Sequence, residues 1–273
     1  MDRRQLARDL TAIENGELQV DDHHGLIVAI TGPPGVGKSC IIDGVLHRLA
    51  PKHNIAVLAV DPTSPLSGGA LLGDRIRLSV LDDSSKSESI YVRSIATRSS
   101  SGSIPSIIKD LASHLLANDF DLVLIETVGA GQSEMRCAAV ANRIIVIEGP
   151  ARGDGIQAEK AGLLELADLI VVNKSDLDGA ERVVNDLTIS LSLTNDAPPI
   201  IRTSAITGEG LDELSVLILS VDERNSSKRA RARQQLLMAH ENRIIRKPAF
   251  DTILDRMSEE GLSVKDALRE LDE

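Results

Sequence analysis

One stretch decides what this chain can fold into. Gly32-Pro33-Pro34-Gly35-Val36-Gly37-Lys38-Ser39 fits G-x-x-x-x-G-K-[ST]. Before it, Leu26-Ile27-Val28-Ala29-Ile30-Thr31 is an apolar, β-branched run that reads as a buried strand; after it, residues 40–49 set apolar side chains at helical spacing. A strand, a glycine loop and a helix start make a phosphate cradle, because glycine lets backbone N–H groups approach the ligand and the helix N-terminus adds its positive end. Lys38 would reach the β- and γ-phosphates and the Ser39 hydroxyl would sit on Mg²⁺. Gly32, Pro33, Pro34, Gly35, Val36, Gly37, Lys38, Ser39 and Cys40 are therefore candidate nucleotide-binding residues.

The rest of the chain repeats the strand-then-helix theme. Buried-strand runs recur at 55–60, 121–126, 143–148 and 168–172, with a shorter strand at 89–94; helical spacing follows Pro105, then recurs near 163–166, over 179–194 and through Leu211, Leu214 and Leu217. This alternation predicts an α/β fold, a doubly wound, mostly parallel sheet. Residues 1–20 read as a helical arm, with a helix over 2–15 stopped by Asn15-Gly16; 21–222 form the nucleotide-binding domain, and 223–273 a helical extension that is a candidate dimerisation element. His23-His24 lacks further ligands nearby and reads as a solvated loop. In the extension, Lys228, Arg229, Arg231 and Arg233 read as a solvated helix face, with an anion-binding patch as the other reading, Phe250, Ile253, Leu254 and Met257 mark one amphipathic helix, and Ser263 with Asp266 caps a last one. The two apolar stripes are expected to pack on a larger surface, the sheet domain or a second subunit.

Composition excludes several classes. A net charge of −11 over 273 residues argues against nucleic-acid binding as the main activity. The two cysteines, Cys40 and Cys137, stand in neither a C-x-x-C nor a zinc pattern, which suits a reducing cytosol. The polar start resembles no signal peptide and no apolar run reaches membrane-spanning length, so a cytoplasmic protein without membrane contact is expected.

The base is read further along. Asn173-Lys174-Ser175-Asp176 matches N-K-x-D directly after a buried run. An aspartate there accepts from the guanine ring N–H and 2-amino group, a pair adenine cannot offer, and a site built for such a pair rejects the analogue lacking it. Asn173 would brace the loop, the Lys174 stem would cover the ring, and Ser204-Ala205-Ile206 supplies a backbone N–H for the guanine carbonyl. GTP is thus expected over ATP. At the metal end, Glu126-Thr127-Val128-Gly129 stands where common GTPases have D-x-x-G: Glu126 can hold a water of Mg²⁺ and the Gly129 N–H can sense the γ-phosphate. Asp61, ending the second strand, and Asp74, in a Gly/Ser/Pro-rich stretch that reads as either a connector or a switch loop, are the other acids placed to reach the metal. Lys38, Glu126 and Gln132 are the catalytic candidates; Gln132 either orients the water or is a structural switch residue. No arginine finger stands out among Arg75, Arg93, Arg98 and Arg152, so slow intrinsic hydrolysis accelerated by a partner is expected.

Three strings carry a family resemblance: Val60-Asp61-Pro62-Thr63-Ser64-Pro65, then Gly68-Gly69-Ala70-Leu71-Leu72-Gly73-Asp74, then Ile125-Glu126-Thr127-Val128-Gly129-Ala130-Gly131-Gln132-Ser133-Glu134. With Glu165 through Asp176 they resemble the methylmalonyl-CoA mutase-associated GTPases of the MeaB/ArgK type, over roughly residues 5–220. The resemblance implies a metallochaperone-like, homodimeric GTPase that gates delivery of adenosylcobalamin to a cobalamin-dependent acyl-CoA mutase and protects that enzyme. It implies Ser39, Asp61, Asp74 and Glu126 as the Mg²⁺ shell, and residues 151–160 as a partner-sensing switch with Asp154 and Lys160 at its centre. No motif for binding cobalamin itself is evident. The chain departs from the family pattern at Cys40, Asn142, Gly155 and Glu159, and its C-terminal region has no tryptophan. Other readings are a nickel-delivery GTPase, which would want a His-rich tract, a nucleotide-dependent binding switch with little hydrolysis, and a kinase acting on a transport protein.

Overall fold

A computed structural model of the chain describes residues 2–62, 78–97, 104–127, 140–150, 158–192, 194–245 and 247–272. Short runs that are apolar on both faces can only be used by a parallel sheet covered on both sides. The described residues form seven such strands: β1 (Leu26–Thr31), β2 (Ile55–Pro62), β3 (Ile90–Thr97), β4 (Leu122–Thr127), β5 (Arg143–Glu148), β6 (Leu169–Val172) and β7 (Ile200–Arg202). They lie in the order β3-β2-β4-β1-β5-β6-β7, and every pairing is parallel. The expected short strand at 89–94 runs on to Thr97 as the sheet edge, and Asp168 precedes β6 instead of opening it.

The helices are α1 (Arg3–Glu14), α2 (Lys38–Leu49), the one-turn α3 (Ser84–Ser87), α4 (Ile104–Ala117), α5 (Ala158–Leu166), α6 (Ala180–Leu191), α7 (Leu211–Ser220), α8 (Asn225–Ile245), α9 (Phe250–Glu259) and α10 (Val264–Asp272). Alternate strand residues feed two cores, as the period of two requires. Ile27, Ala29, Val123, Ile125, Ile144 and Val146 pack under α1, α4, α5 and α6. Val28, Ile30, Leu122, Leu124, Ile145 and Ile147 pack under α2 and α7. β1 lies between β4 and β5, and the register pairs Ile30 with both Glu126 and Ile145. The chain leaves β1 toward β2 on one side while β5 lies on the other. That reversal opens a crevice at the carboxyl ends of the strands, beside the glycine loop.

The helical extension differs from its expected form. The basic cluster is not a uniformly solvated face: Arg231 is 4% exposed and its guanidinium donates to Asp168 Oδ2 at 2.5 Å. Asp168, fully buried, also accepts from Ile144 N at 2.9 Å, Arg224 N at 3.1 Å and Ser227 Oγ at 2.5 Å. Arg224, whose charge burial disfavours, is held by the carbonyls of Ala167, Glu165 and Asp196. Asp196 in turn accepts from Ser226 N and Oγ at the start of α8, and that backbone bond holds its carboxyl below the usual range. α9 and α10 pack on each other, with Ile253, Ala267 and Leu271 in a small separate core joined by Ile244 from the end of α8. Ile253, Ala267 and Leu271 thus find each other, while Leu254, Val264 and Leu268 of the same stripes stay exposed. The expected cap is present, with Asp266 N donating to Ser263 Oγ at 3.2 Å and that hydroxyl to Asp266 Oδ2 at 2.6 Å.

Removing one partner of a buried ion pair leaves the other charged in a dry site. Arg231→Ala should lower the unfolding free energy by about 3–5 kcal/mol, whereas Arg233→Ala, on the exposed side of the same helix, should stay within about 0.5 kcal/mol. Urea titrations followed by circular dichroism measure both.

Candidate functional site

The glycine loop leaves β1 and enters α2 under tight contact. At Gly32, φ is +143°, and a Cβ would stand 2.1 Å from the Ile147 carbonyl oxygen of β5. At Gly37, the residue that caps α2, φ is +97°, and a Cβ would stand 2.5 Å from Asn173 Nδ2. Neither position can carry a side chain without moving β5 or the Asn173 amide. Lys38 is 6% exposed and folds back over the loop, donating to the carbonyls of Gly32 at 2.7 Å and Pro33 at 3.0 Å. Pro34, Gly35, Ser39 and Cys40 face solvent, whereas Val36 is buried in the α2 core.

The N-K-x-D loop is bolted to the phosphate loop. Asn173, 1% exposed, donates from Nδ2 to Val36 O at 2.8 Å, while its Oδ1 accepts from Ala205 N at 3.2 Å and Thr203 Oγ1 at 3.4 Å. Lys174 adopts a left-handed backbone, φ +62°, and its ammonium donates to Gly35 O at 2.8 Å. A lysine in that region is uncommon and persists where surrounding contacts impose it. Its extended stem forms a wall beside the loop. Asp176 is exposed, and its Oδ1 accepts from the buried Ser204 Oγ at 2.5 Å, which fixes the carboxylate. The Ala205 N–H, expected to face a guanine carbonyl, is given to Asn173 in this arrangement. Ile206 projects at the rim, 87% exposed.

At the other end of the loop, Ser39 Oγ donates to Glu126 Oε1 at 2.7 Å, so the hydroxyl and the carboxylate from β1–α2 and β4 meet at one point. Glu126 is 3% exposed. The backbone of Asp61 ends β2, one strand further out. Asp74, Gly129, Gln132 and Asp154 lie outside the described residues, as do Arg75, Arg98 and Arg152; Lys160 falls in α5, with its side chain outside them. Arg93 is turned away from the site, donating to Glu14 Oε1 at 2.7 Å and Thr11 Oγ1 at 3.0 Å on α1. Among the described residues no three His, Cys, Asp or Glu side chains converge, and His23 and His24 are exposed.

Some contributors gave little signal in the sequence. Thr31 and Thr127, ending β1 and β4, are buried with hydroxyls that find no partner among the described residues. At Gly149, just after β5, a Cβ would stand 3.1 Å from both Asn173 O and Val36 Cγ2, closer than an ordinary contact. Behind the cradle, Asp43 and His47 on α2 hold Ser79, whose hydroxyl donates to Asp43 Oδ2 at 2.6 Å and lies 3.0 Å from His47 Nε2. This anchors the point where the chain re-enters the core after residues 63–77. Asp43 and His47 stand one turn apart on an amphipathic helix, a pattern common on any solvated face.

Comparison with known proteins agrees with this geometry. The family model described as methylmalonyl-CoA mutase-associated GTPase MeaB matches residues 15–261. A protein of Pyrococcus horikoshii named as a GTPase is 40% identical over 230 residues, 78% of this chain and 72% of its own length. The fused isobutyryl-CoA mutase of Cupriavidus metallidurans is 34% identical over 200 residues, 68% of this chain and 18% of that protein. A solved structure of LAO/AO transport system kinase superposes with a TM-score of 0.63 at 23% identity, covering 99% of this chain and 92% of that one, which shows a shared fold.

Asn173→Ala removes three hydrogen bonds from a buried junction and strands the partners, a cost of about 1–3 kcal/mol in stability. It should also weaken GTP and GDP alike by at least about tenfold, because the phosphate loop and the base loop lose their fixed relation. Thermal denaturation with and without nucleotide, and fluorescence titration with a labelled GDP, check both effects.

Proposed function

This chain belongs to the methylmalonyl-CoA mutase-associated GTPase family, and from that premise we propose that it hydrolyses GTP under the control of a cobalamin-dependent acyl-CoA mutase, gating cofactor delivery to that enzyme. The observation that carries the guanine assignment is the Asp176 carboxylate, exposed at the loop rim yet fixed by Ser204 at 2.5 Å. Held there, it accepts two N–H bonds from guanine. The stem of Lys174 covers one face of the ring, and Ile206 stands at the rim opposite.

The phosphate end follows from the loop. Backbone N–H groups from Gly35 to Ser39 and the start of α2 cradle the β- and γ-phosphates, and Lys38 exchanges its carbonyl partners for phosphate oxygens. Ser39 and Glu126 fit Mg²⁺: a hydroxyl and a carboxylate oxygen, the hard donors this ion prefers, already lie within 2.7 Å of each other. Asp61 and Asp74 complete the proposed set. When bound, the ion neutralises charge on the β- and γ-phosphate oxygens. Gln132 is the proposed water-positioning residue and Gly129 the γ-phosphate sensor. Residues 151–160, with Asp154 and Lys160, form the proposed partner-sensing switch. In the sequence they follow the end of β5 and run into α5.

Two relationships support a mutase client: the family is mutase-associated, and a segment related to this chain occurs within a fused isobutyryl-CoA mutase. We propose a cytoplasmic homodimer that docks on the mutase; no described helix is long and apolar enough to cross a membrane.

Two measurements test the reading. GTP turnover should rise at least about tenfold when purified methylmalonyl-CoA or isobutyryl-CoA mutase is added; unchanged turnover with both would assign the nucleotide site to another client. Asp176→Asn should lose GTP and gain xanthosine triphosphate, whose 2-oxo group accepts the bond that an asparagine can donate. Retained preference for GTP in that variant would remove Asp176 from the base site.

A further inference from the structure

A cavity of about 610 Å³ lies between α5, α6 and the first turns of α8. Leu164, Leu191 and Ala230 give it an apolar wall. Arg229 and Arg233, one turn apart on α8, line the wall next to them. The arginines of this helix have divided fates. Arg231 turns inward to Asp168, whereas Arg229 and Arg233 face the cavity side with no ion pair among the described residues. Arg224 also contributes to the lining, but its N–H groups are taken by the carbonyls of Ala167, Glu165 and Asp196. Glu165 is the one acid among the lining residues, against three arginines. The hydroxyls of Ser190 and Thr194 add further polar groups.

This pattern is that of a small-molecule site: a concave, mostly apolar chamber of several hundred Å³ with a few convergent polar groups. Two adjacent guanidiniums without carboxylate partners match the fork geometry of a phosphate. Paired arginines on a solvated helix usually acquire acidic neighbours at i±3 or i±4. Here those positions hold Asn225, Ser226, Ala230, Ala232, Leu236, Leu237 and the two arginines themselves, so nothing at these positions neutralises them. We propose that this cavity binds an amphipathic phosphomonoester, its phosphate on Arg229 and Arg233 and its aliphatic body against Leu164, Leu191 and Ala230. The site is built from α5, α6, α8 and the adjoining Thr194 and Arg224, and none of its lining residues belongs to the phosphate or base loops, so it stands whether or not the client assignment above does.

The test uses the full chain saturated with GDP and Mg²⁺, so that the phosphate loop cannot take up the probe. Octyl phosphate, below its micelle concentration, is titrated by calorimetry beside inorganic phosphate and octanol. Octyl phosphate should bind at least tenfold more tightly than either fragment, because it alone reaches both walls. The Arg229→Gln/Arg233→Gln double variant should lose at least tenfold of that affinity while keeping basal GTP turnover and its circular dichroism spectrum. Ala230→Trp, which fills the chamber, should abolish binding; should that variant not fold, the arginine pair decides alone. Equal binding by the double variant, or inorganic phosphate or octanol matching octyl phosphate, overturns the proposal. So does sedimentation showing a dimer whose dissociation is required before octyl phosphate binds, since the chamber would then be part of an interface between copies of the chain.

Discussion

The site depends on one buried amide. Asn173 reaches from the end of β6 to the phosphate loop through Val36 O and to the loop after β7 through Ala205 N and Thr203 Oγ1. Three segments that are far apart in sequence are therefore fixed to one another by a single side chain that is almost fully removed from solvent. An amide suits this position because it donates on one side and accepts on the other without carrying charge into a dry junction. An aspartate would face the Val36 carbonyl with a lone pair, and a leucine would leave a buried carbonyl and a buried N–H unpaired. The glycine at position 37 follows from the same contact, since a Cβ there would meet the amide nitrogen at 2.5 Å. What looks in the sequence like two independent motifs is thus one mechanical unit.

That unity explains why so much of the fold and the site was legible in the sequence. Motifs that bind a nucleotide must sit at strand ends, so finding them also locates the strands, and buried parallel strands announce themselves as short runs apolar on both faces. Register, strand order and the pairing of Ser39 with Glu126 were another matter. They depend on contacts 87 residues apart, which no local pattern encodes. The same holds for the helical extension. Arg229, Arg231 and Arg233 read alike in a row of basic residues, but only Arg231 points along the line where α8 meets the buried Asp168. A helical period tells that three arginines differ in direction; it does not tell which direction is inward when few apolar neighbours mark the face. The packing of α9 on α10 is not encoded locally for a related reason, because two short amphipathic helices satisfy their stripes equally well against each other or against anything larger.

The Asp168 junction stands at the opposite edge of the sheet from Asn173 and follows opposite logic. Here a charge is buried on purpose, with four donors from β5, Arg224, Ser227 and Arg231 around one carboxylate. Such a cluster adds little net stability over an apolar replacement of the same shape, but it tolerates only one arrangement of its partners. β6 is four residues long, with Asp168 at its entry and Asn173 just past its exit. The strand that carries the base-reading loop is therefore pinned at both ends by polar contacts, one to the phosphate loop and one to the helical extension. The docking of α8 and the position of the base loop become parts of one arrangement, which gives the extension a structural stake in the nucleotide site without touching it.

The bonds at the phosphate end set what a nucleotide must do on arrival. Lys38 is bonded to Gly32 O and Pro33 O, and Ser39 to Glu126. In the proposed complex these bonds are exchanged for bonds to phosphate and metal, so the gain is the difference between two sets, not the sum of the new one. Exchanging a neutral carbonyl for a multiply charged phosphate is strongly favourable for an ammonium, and a hydroxyl loses little by trading a carboxylate for a cation that the carboxylate also holds. The base end is different: Asp176 and Ser204 need not give up their contact, because the second carboxylate oxygen and the remaining lone pairs face outward. Phosphate binding therefore rearranges local contacts while base binding adds to a finished surface. In the proposed complex a change of nucleotide state is expressed where the bonds must be exchanged, at Lys38, Ser39 and Glu126.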